Sequence, residues 1–176
     1  MEVETQKAGT KRPEAFDTPH LRTIDEISHH FHIPRGNMIK TLIYMADNKP
    51  VAALVTGESE LNEGKFSRFL SAKVLRMATA AEIEKVTGGP IGFSGPVGLR
   101  GIPIYADWDI EKLSDFVTGA NQKDRHLKNV NLSDFEVKAI GDLRFVNDGD
   151  FCAECGKKLR IITTMEIGHI FKLGTR

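Results

Sequence analysis

Residues 39–55 read IKTLIYMADNKPVAALV, and this stretch decides the fold class. Its two apolar runs, 39–46 and 50–55, are separated by Asp-Asn-Lys at 47–49. Apolar runs of this length joined by a short polar turn predict a hairpin or an adjacent pair of strands. The sequence therefore predicts a β-sheet built around this strand pair.

Helices are predicted on both sides of this strand pair. Thr23 with Glu26, and Thr79 with Glu82, have the T-x-x-E pattern of a capping box, in which a hydroxyl and a carboxylate each satisfy a free backbone N–H at the helix start. A third helix is predicted over 60–70 with Asn62 as its N-cap, and a short fourth helix over 109–116 is predicted to be capped by Asp109. Further strands are predicted at 74–78, 104–106, 126–131, within 135–146, at 161–164 and at 167–173. This interspersed order predicts an α/β or α+β fold around a mixed sheet.

Length and charge limit the function classes. The chain has 176 residues, which is enough for one domain with a buried core, and 24 Lys and Arg balance 24 Asp and Glu. A net charge of zero argues against a protein that coats DNA or RNA through bulk charge. Apolar runs such as 51–55 are far shorter than the roughly 20 residues of a membrane span, and the N-terminus lacks an apolar signal core. A cytoplasmic protein without membrane partners is expected.

Two segments stand out by composition. Residues 1–20 are polar, lack periodicity and contain two prolines, so we expect a flexible flank there. Residues 91–103 contain four glycines and two prolines, a density typical of a sharply shaped loop in which backbone can approach a ligand closely.

Isolated polar residues leave several interpretations open. Lys40 interrupts an apolar run, so its ammonium requires either solvent or an anion. Asp107 ends a predicted strand, where a carboxylate either forms a turn or serves a site, and His126 begins one, as a structural or a functional histidine. Cys152 and Cys155 form one C-x-x-C, which is a redox pair, half of a zinc site or a structural pair. No second ligand pair follows, so no metal site is predicted.

Several longer sequence segments resemble those of a known protein family. They include Ile39-Lys40-Thr41-Leu42, Glu60-Leu61-Asn62-Glu63, Gly92-Phe93-Ser94-Gly95-Pro96-Val97-Gly98, Gly119-Ala120-Asn121 and Gly168-His169-Ile170-Phe171-Lys172-Leu173-Gly174-Thr175. In their order and spacing they resemble the editing insertion of bacterial-type prolyl-tRNA synthetase, which has the YbaK-like deacylase fold. The resemblance implies a mixed, mostly antiparallel sheet or a partly open barrel flanked by helices.

The resemblance also implies roles for individual residues. Lys40 matches the family lysine that engages the phosphate or ribose of the terminal adenosine, and Ile24 and Ile27 match apolar residues around the alanine methyl. Gly92, Phe93, Ser94, Gly95 and Pro96 match the G-x-x-x-P loop, whose backbone amides hold the ester carbonyl. Asp107 and His126 match polar residues that position water or substrate hydroxyls.

The implied reaction is hydrolysis of alanine from mischarged alanyl-tRNA(Pro), with the rest of the synthetase as a partner in cis and no DNA involved. No metal or other cofactor is implied for editing, whereas ATP and Mg²⁺ serve the parent proline–tRNA ligase. We expect an N-terminal flank at 1–20, the editing domain at 21–165 and a C-terminal flank at 166–176 that re-enters the synthetase. The alternatives are a non-catalytic insertion that supports the synthetase or seats the tRNA, and a free-standing deacylase of another acyl specificity.

Overall fold

The computed structural model describes residues 11–152, 154–165, 167–168 and 170. The chain divides into two compact units, Met1–Phe145 and Val146–Arg176. In chain order, the helices and strands within the described residues are β1 (Glu14–Asp17), α1 (Ile24–Phe31), β2 (Ile39–Ala46), β3 (Lys49–Thr56), α2 (Glu63–Leu70), β4 (Leu75–Met77), α3 (Ala80–Thr87), β5 (Ile104–Asp107), β6 (Phe116–Gly119), β7 (Arg125–Val130) and β8 (Ala139–Gly141).

The predicted strand pair forms and lies at the centre of a five-stranded sheet. β2 and β3 are antiparallel, with Lys40 opposite Val55, and the strand order is β4-β2-β3-β5-β8. β4 pairs antiparallel with β2, whereas β5 and β8 are added in parallel. The predicted mixed α+β class is therefore confirmed, and the sheets within the described residues do not close into a barrel.

The second sheet has the order β1-β7-β6 and corrects the expected N-terminal flank. β1 lies within residues 1–20, which were expected to be flexible, and pairs antiparallel with β7. The flank was expected because residues 1–20 are polar and lack periodicity, but Glu14 pairs with Lys128 and Asp17 with Arg125, each at 3.2 Å across the strands. The partner strand is more than a hundred residues away, so no local pattern predicts β1.

Three of the four predicted helix starts are confirmed. Glu26 N donates to Thr23 Oγ1 at 3.2 Å, and Thr23 N donates back to the Glu26 carboxylate at 2.9 Å. The same reciprocal pair begins α3 at Thr79, and Asn62 Oδ1 accepts from a backbone N–H to begin α2. These caps fix the start of each helix next to the sheet.

The predicted helix over 109–116 is wrong. A 3-10 helix, Trp108–Lys112, occupies this region, and Asp107 rather than Asp109 caps it. Asp115 then takes a left-handed backbone with φ +52°, after which β6 begins. The four-residue strand β6, which pairs with β7, thus begins at Phe116, where the predicted helix was expected to end. This pairing is a tertiary contact, which local helix and strand propensities do not predict.

The C-terminal unit also differs from the expectation. Residues 161–164, predicted as a strand, have no regular secondary structure. The predicted strand at 167–173 and the flank at 166–176 lie largely outside the described residues. Within the described part of the chain, no helix is long and apolar enough to cross a membrane.

Candidate functional site

A cavity of about 320 Å³ opens between α1, β2, α3 and the loop that follows α3. Its walls are largely apolar: α1 contributes Ile24 and Ile27, β2 contributes Ile39 and Ile43, and α3 contributes Ile83. Ile27, Ile39 and Ile43 are at most 2% exposed. The volume falls in the range of sites for small ligands or for one end of a larger ligand.

The structure brings six of the ten predicted site residues to this cavity. They are Ile24, Ile27, Lys40, Gly92, Ser94 and His126. The other four, Phe93, Gly95, Pro96 and Asp107, do not line it. The first three of these are buried and support the loop, whereas Asp107 lies elsewhere.

Lys40 supplies a positive charge at the cavity. It lies on β2 between Ile39 and Thr41, and its side chain is 19% exposed. Its Nζ donates to Glu60 Oε1 at 2.8 Å. Glu60 is 79% exposed, so this ion pair is open to solvent and an anionic ligand can compete for the ammonium.

His126 lies at the buried side of the cavity and is 5% exposed. Its Nδ1 is 2.8 Å from Thr18 Oγ1, and the rings of Phe16 and Phe93 lie 6.2 and 5.7 Å away. Burial among these groups lowers the pKa of His126 to about 4, because it penalises the charged form. The imidazole is therefore neutral at physiological pH, and with Nδ1 engaged, Nε2 is the nitrogen left for a ligand or water.

The glycine-rich loop contributes two residues to the cavity wall, Gly92 and Ser94. Gly92 has a left-handed backbone with φ +95°, which a side chain would disfavour. The Phe93 N–H donates to the Pro90 carbonyl, Gly95 N–H donates to Asn121, and Pro96 has no N–H. Of the amides in 92–96, those of Gly92 and Ser94 thus have no hydrogen-bond partner among the residues described, and both residues line the cavity.

Asp107 was expected in the same site, and the structure gives its carboxylate a different use. Asp107 is 2% exposed and accepts hydrogen bonds from the N–H groups of Asp109, Leu143 and Arg144 at 3.0, 2.8 and 3.2 Å. The Arg144 guanidinium is 3.8 Å away. This carboxylate joins β5 to the chain after β8, with β3 between it and the strand of Lys40.

Sequence reasoning missed three polar residues at or beside the cavity. Thr18 is fully buried and bonds His126, which is 108 residues away in the chain. Thr41 lines the cavity, is 8% exposed and has a hydroxyl without a partner within the described part of the chain. Arg22 lies at the exposed edge. Only Thr41 carried a local signal, as a polar residue next to Lys40 inside an apolar strand.

The described residues include no group of three or more His, Cys, Asp or Glu arranged to hold a metal ion. Cys152 and Cys155 belong to the C-terminal unit, where Phe151 bridges to Lys158. Backbone N–H groups of Cys155 and Glu154 lower the pKa of the Cys152 thiol. The two cysteines form no disulfide.

Comparison with known proteins matches residues 18–137 to the family described as aminoacyl-tRNA editing domain. The proline–tRNA ligase of Caldicellulosiruptor saccharolyticus is 46% identical over 167 residues, and that of Solidesulfovibrio magneticus is 47% identical over 165. These matches cover 94% and 93% of this chain but only 29% and 28% of the relatives.

Among solved structures, a candidate trans-editing enzyme for prolyl tRNA synthetase matches with a TM-score of 0.68. The identity is 24%, over 76% of this chain and 87% of that one, so the match concerns the fold. The YbaK-like fold expected from the sequence is confirmed. The family match includes all ten predicted site residues, and the chain belongs to the aminoacyl-tRNA editing domain family.

Proposed function

We propose that this chain hydrolyses the aminoacyl ester of alanyl-tRNA(Pro), as the editing module of a proline–tRNA ligase. The observation that carries the proposal is the cavity itself, which is lined by an apolar wall, by Lys40 and by two loop residues, Gly92 and Ser94, whose amides have no partner among the described residues. An aminoacyl ester on a terminal adenosine presents the matching groups: a small side chain, a charged phosphate and a carbonyl that becomes an oxyanion.

In this proposal the aminoacyl side chain rests against Ile24 and Ile27. An apolar pocket distinguishes one methylene by about 10- to 200-fold, which is too little for the activation site of a synthetase to reject alanine. A second cavity that admits alanine and excludes the larger proline ring corrects the error. The wall provided by Ile27 sets the size limit, because this side chain is 1% exposed and fixed by its neighbours.

Lys40 binds the phosphate or ribose end of the adenosine. Its ammonium exchanges the solvent-exposed Glu60 carboxylate for the nucleotide. A flexible point charge suits this task, since it can follow the ligand while the strand stays fixed.

The chemical step needs a water molecule and no protein nucleophile. Water attacks the ester carbonyl, the Gly92 and Ser94 amides stabilise the oxyanion, and the bond to the ribose oxygen then breaks. The proton from water ends on that ribose oxygen, and the adjacent ribose hydroxyl assists the transfer. His126 is neutral and orients water or a ribose hydroxyl through Nε2. No metal or cofactor takes part in editing, and ATP and Mg²⁺ belong to ligation by the longer protein.

The test is release of labelled alanine from alanyl-tRNA(Pro), with prolyl-tRNA(Pro) as the control substrate. We expect selective release of alanine, and a fall of about 100-fold or more in Lys40→Ala, because a charge that binds the nucleotide is removed. Lys49→Ala, at the exposed end of β3, is the matched control and keeps full activity. No release with the rest of the synthetase supplied would contradict the proposal and favour a non-catalytic insertion.

A further inference from the structure

Asn121 connects the strand that follows the 3-10 helix to the glycine-rich loop. It lies two residues after β6 and has a left-handed backbone, φ +56°. Its Oδ1 accepts from Gly95 N at 2.8 Å, and its Nδ2 donates to the carbonyls of Gly95 and Val97, both at 3.0 Å. Its own backbone N–H donates to the Phe93 carbonyl at 2.8 Å. One residue therefore binds four backbone groups of the loop.

The two segments are in direct backbone contact. A side chain at Gly95 would collide with the Gly119 carbonyl, and one at Gly119 would collide with the carbonyls of Phe93 and Ser94. A side chain at Gly89, before the loop, would collide with the Asn121 carbonyl. The glycines permit this approach, and the Asn121 carboxamide supplies the hydrogen bonds that define it.

This arrangement decides which amides the loop can offer. Asn121 binds both the N–H and the carbonyl of Gly95, so the peptides on either side of that residue have a fixed orientation. Ser94 precedes Gly95 and keeps its own N–H unpaired among the described residues, as does Gly92. Small displacements of such donors reduce catalysis strongly, since an oxyanion is stabilised only at hydrogen-bond distance.

We propose that Asn121 is a positioning residue, which holds the 92–96 loop so that the Gly92 and Ser94 amides receive the developing oxyanion. This inference rests on the proposed deacylation. The chemistry of the side chain is specific, because Asn121 acts as donor and acceptor at once. Aspartate retains the acceptor and loses both donors, whereas glycine retains only the left-handed backbone.

The experiment compares the wild-type chain with Asn121→Gly and Asn121→Asp. The control is Asn48→Gly, which removes another left-handed asparagine, φ +63°, from the exposed turn between β2 and β3. Alanine release from alanyl-tRNA(Pro) gives kcat and KM, and NMR hydrogen exchange reports the Gly95 amide. We expect both Asn121 variants to lose about 100-fold in kcat with KM changed only a few-fold, and Gly95 to exchange faster. Asn48→Gly behaves as wild type in both measurements.

Three results would overturn the inference: an unchanged kcat in Asn121→Gly, a lowered kcat with unchanged Gly95 exchange, or failure of both Asn121 variants to fold. A raised KM with an unchanged kcat belongs to the first of these results, because uniform loss of binding is not loss of oxyanion stabilisation. If the wild-type chain releases no alanine, the proposed function fails, and Gly95 exchange still decides whether Asn121 fixes the loop.

Discussion

His126 and Asp107 are both buried polar residues on strands, but their surroundings differ in how many hydrogen-bonding positions are filled. His126 borders a cavity and has one side-chain hydrogen bond among the described residues, between Nδ1 and Thr18 Oγ1. Asp107 borders no cavity wall of that site, and its two oxygens receive three backbone N–H groups with the Arg144 guanidinium nearby. From sequence alone the two residues had the same standing as site candidates.

The difference separates a polar group that is open to a ligand from one whose hydrogen-bonding positions are filled by the fold. A buried polar group that keeps a free position beside a cavity can bind a ligand there, whereas a group whose oxygens are filled by the backbone stabilises the fold. Mutations should therefore affect stability in the Asp107 region and the acid response or activity in the His126 region.

The largest effect on stability is expected from Asp107→Ala. It removes the acceptor of three backbone N–H groups, while Arg144 keeps its ion pair with Asp109 at 2.6 Å, so the free energy of unfolding should fall by about 3 to 5 kcal/mol. Urea denaturation measures the change. Asp17→Ala, which breaks an ion pair of an 81% exposed side chain, is the control and should cost less than about 1 kcal/mol. Equal effects of the two substitutions would contradict a structural role of the Asp107 carboxylate.

The second effect concerns acid. The folded pKa of His126 is lowered to about 4 from 6.5, so the unfolded chain binds the extra proton between these values and stability falls as the pH falls through this window. The full shift corresponds to about 3 kcal/mol. The unfolding free energy of wild type, measured from pH 7 to 4, should therefore decrease more than that of His126→Gln. Parallel curves for the two proteins would show that His126 is not buried in its neutral form.

Elements that depend on neighbouring residues could be predicted from the sequence, whereas elements that depend on distant contacts could not. The capping boxes at Thr23 and Thr79 involve residues three apart, and both were predicted correctly. β1 was missed because its partner β7 is distant in the chain, and the 3-10 helix was assigned the wrong cap because Leu143 and Arg144 hold Asp107 from far away.

The candidate site shows the same division. Lys40 and the glycine-rich loop were found through the resemblance, and the cavity brings them together. Two contacts could not be predicted, because their residues are distant in the chain. Thr18 and His126 are 108 positions apart, and Gly95 and Asn121 are 26 positions apart. A residue type at one position does not reveal whether its hydrogen-bonding groups will be filled by the fold or left for a ligand.

The smallest effect is expected at the exposed side of the cavity. Glu60→Gln removes the partner of Lys40, and because the ion pair is open to solvent, stability should change by less than about 1 kcal/mol. Raising the salt concentration from 0.15 to about 1 M should remove the remaining difference from wild type. A larger, salt-independent loss would mean that Glu60 is part of the fold like Asp107.

The central claim is that the cavity walled by Ile27 receives the aminoacyl group, and Ile27→Phe tests it most directly. Single-turnover release from alanyl-tRNA(Pro) should fall by about 10-fold or more, while Ile27→Val, which keeps the branched shape, retains release. Circular dichroism and thermal unfolding verify that Ile27→Phe is folded, with an overpacking cost of about 1 to 3 kcal/mol. A folded Ile27→Phe chain that releases alanine at the wild-type rate would contradict the claim.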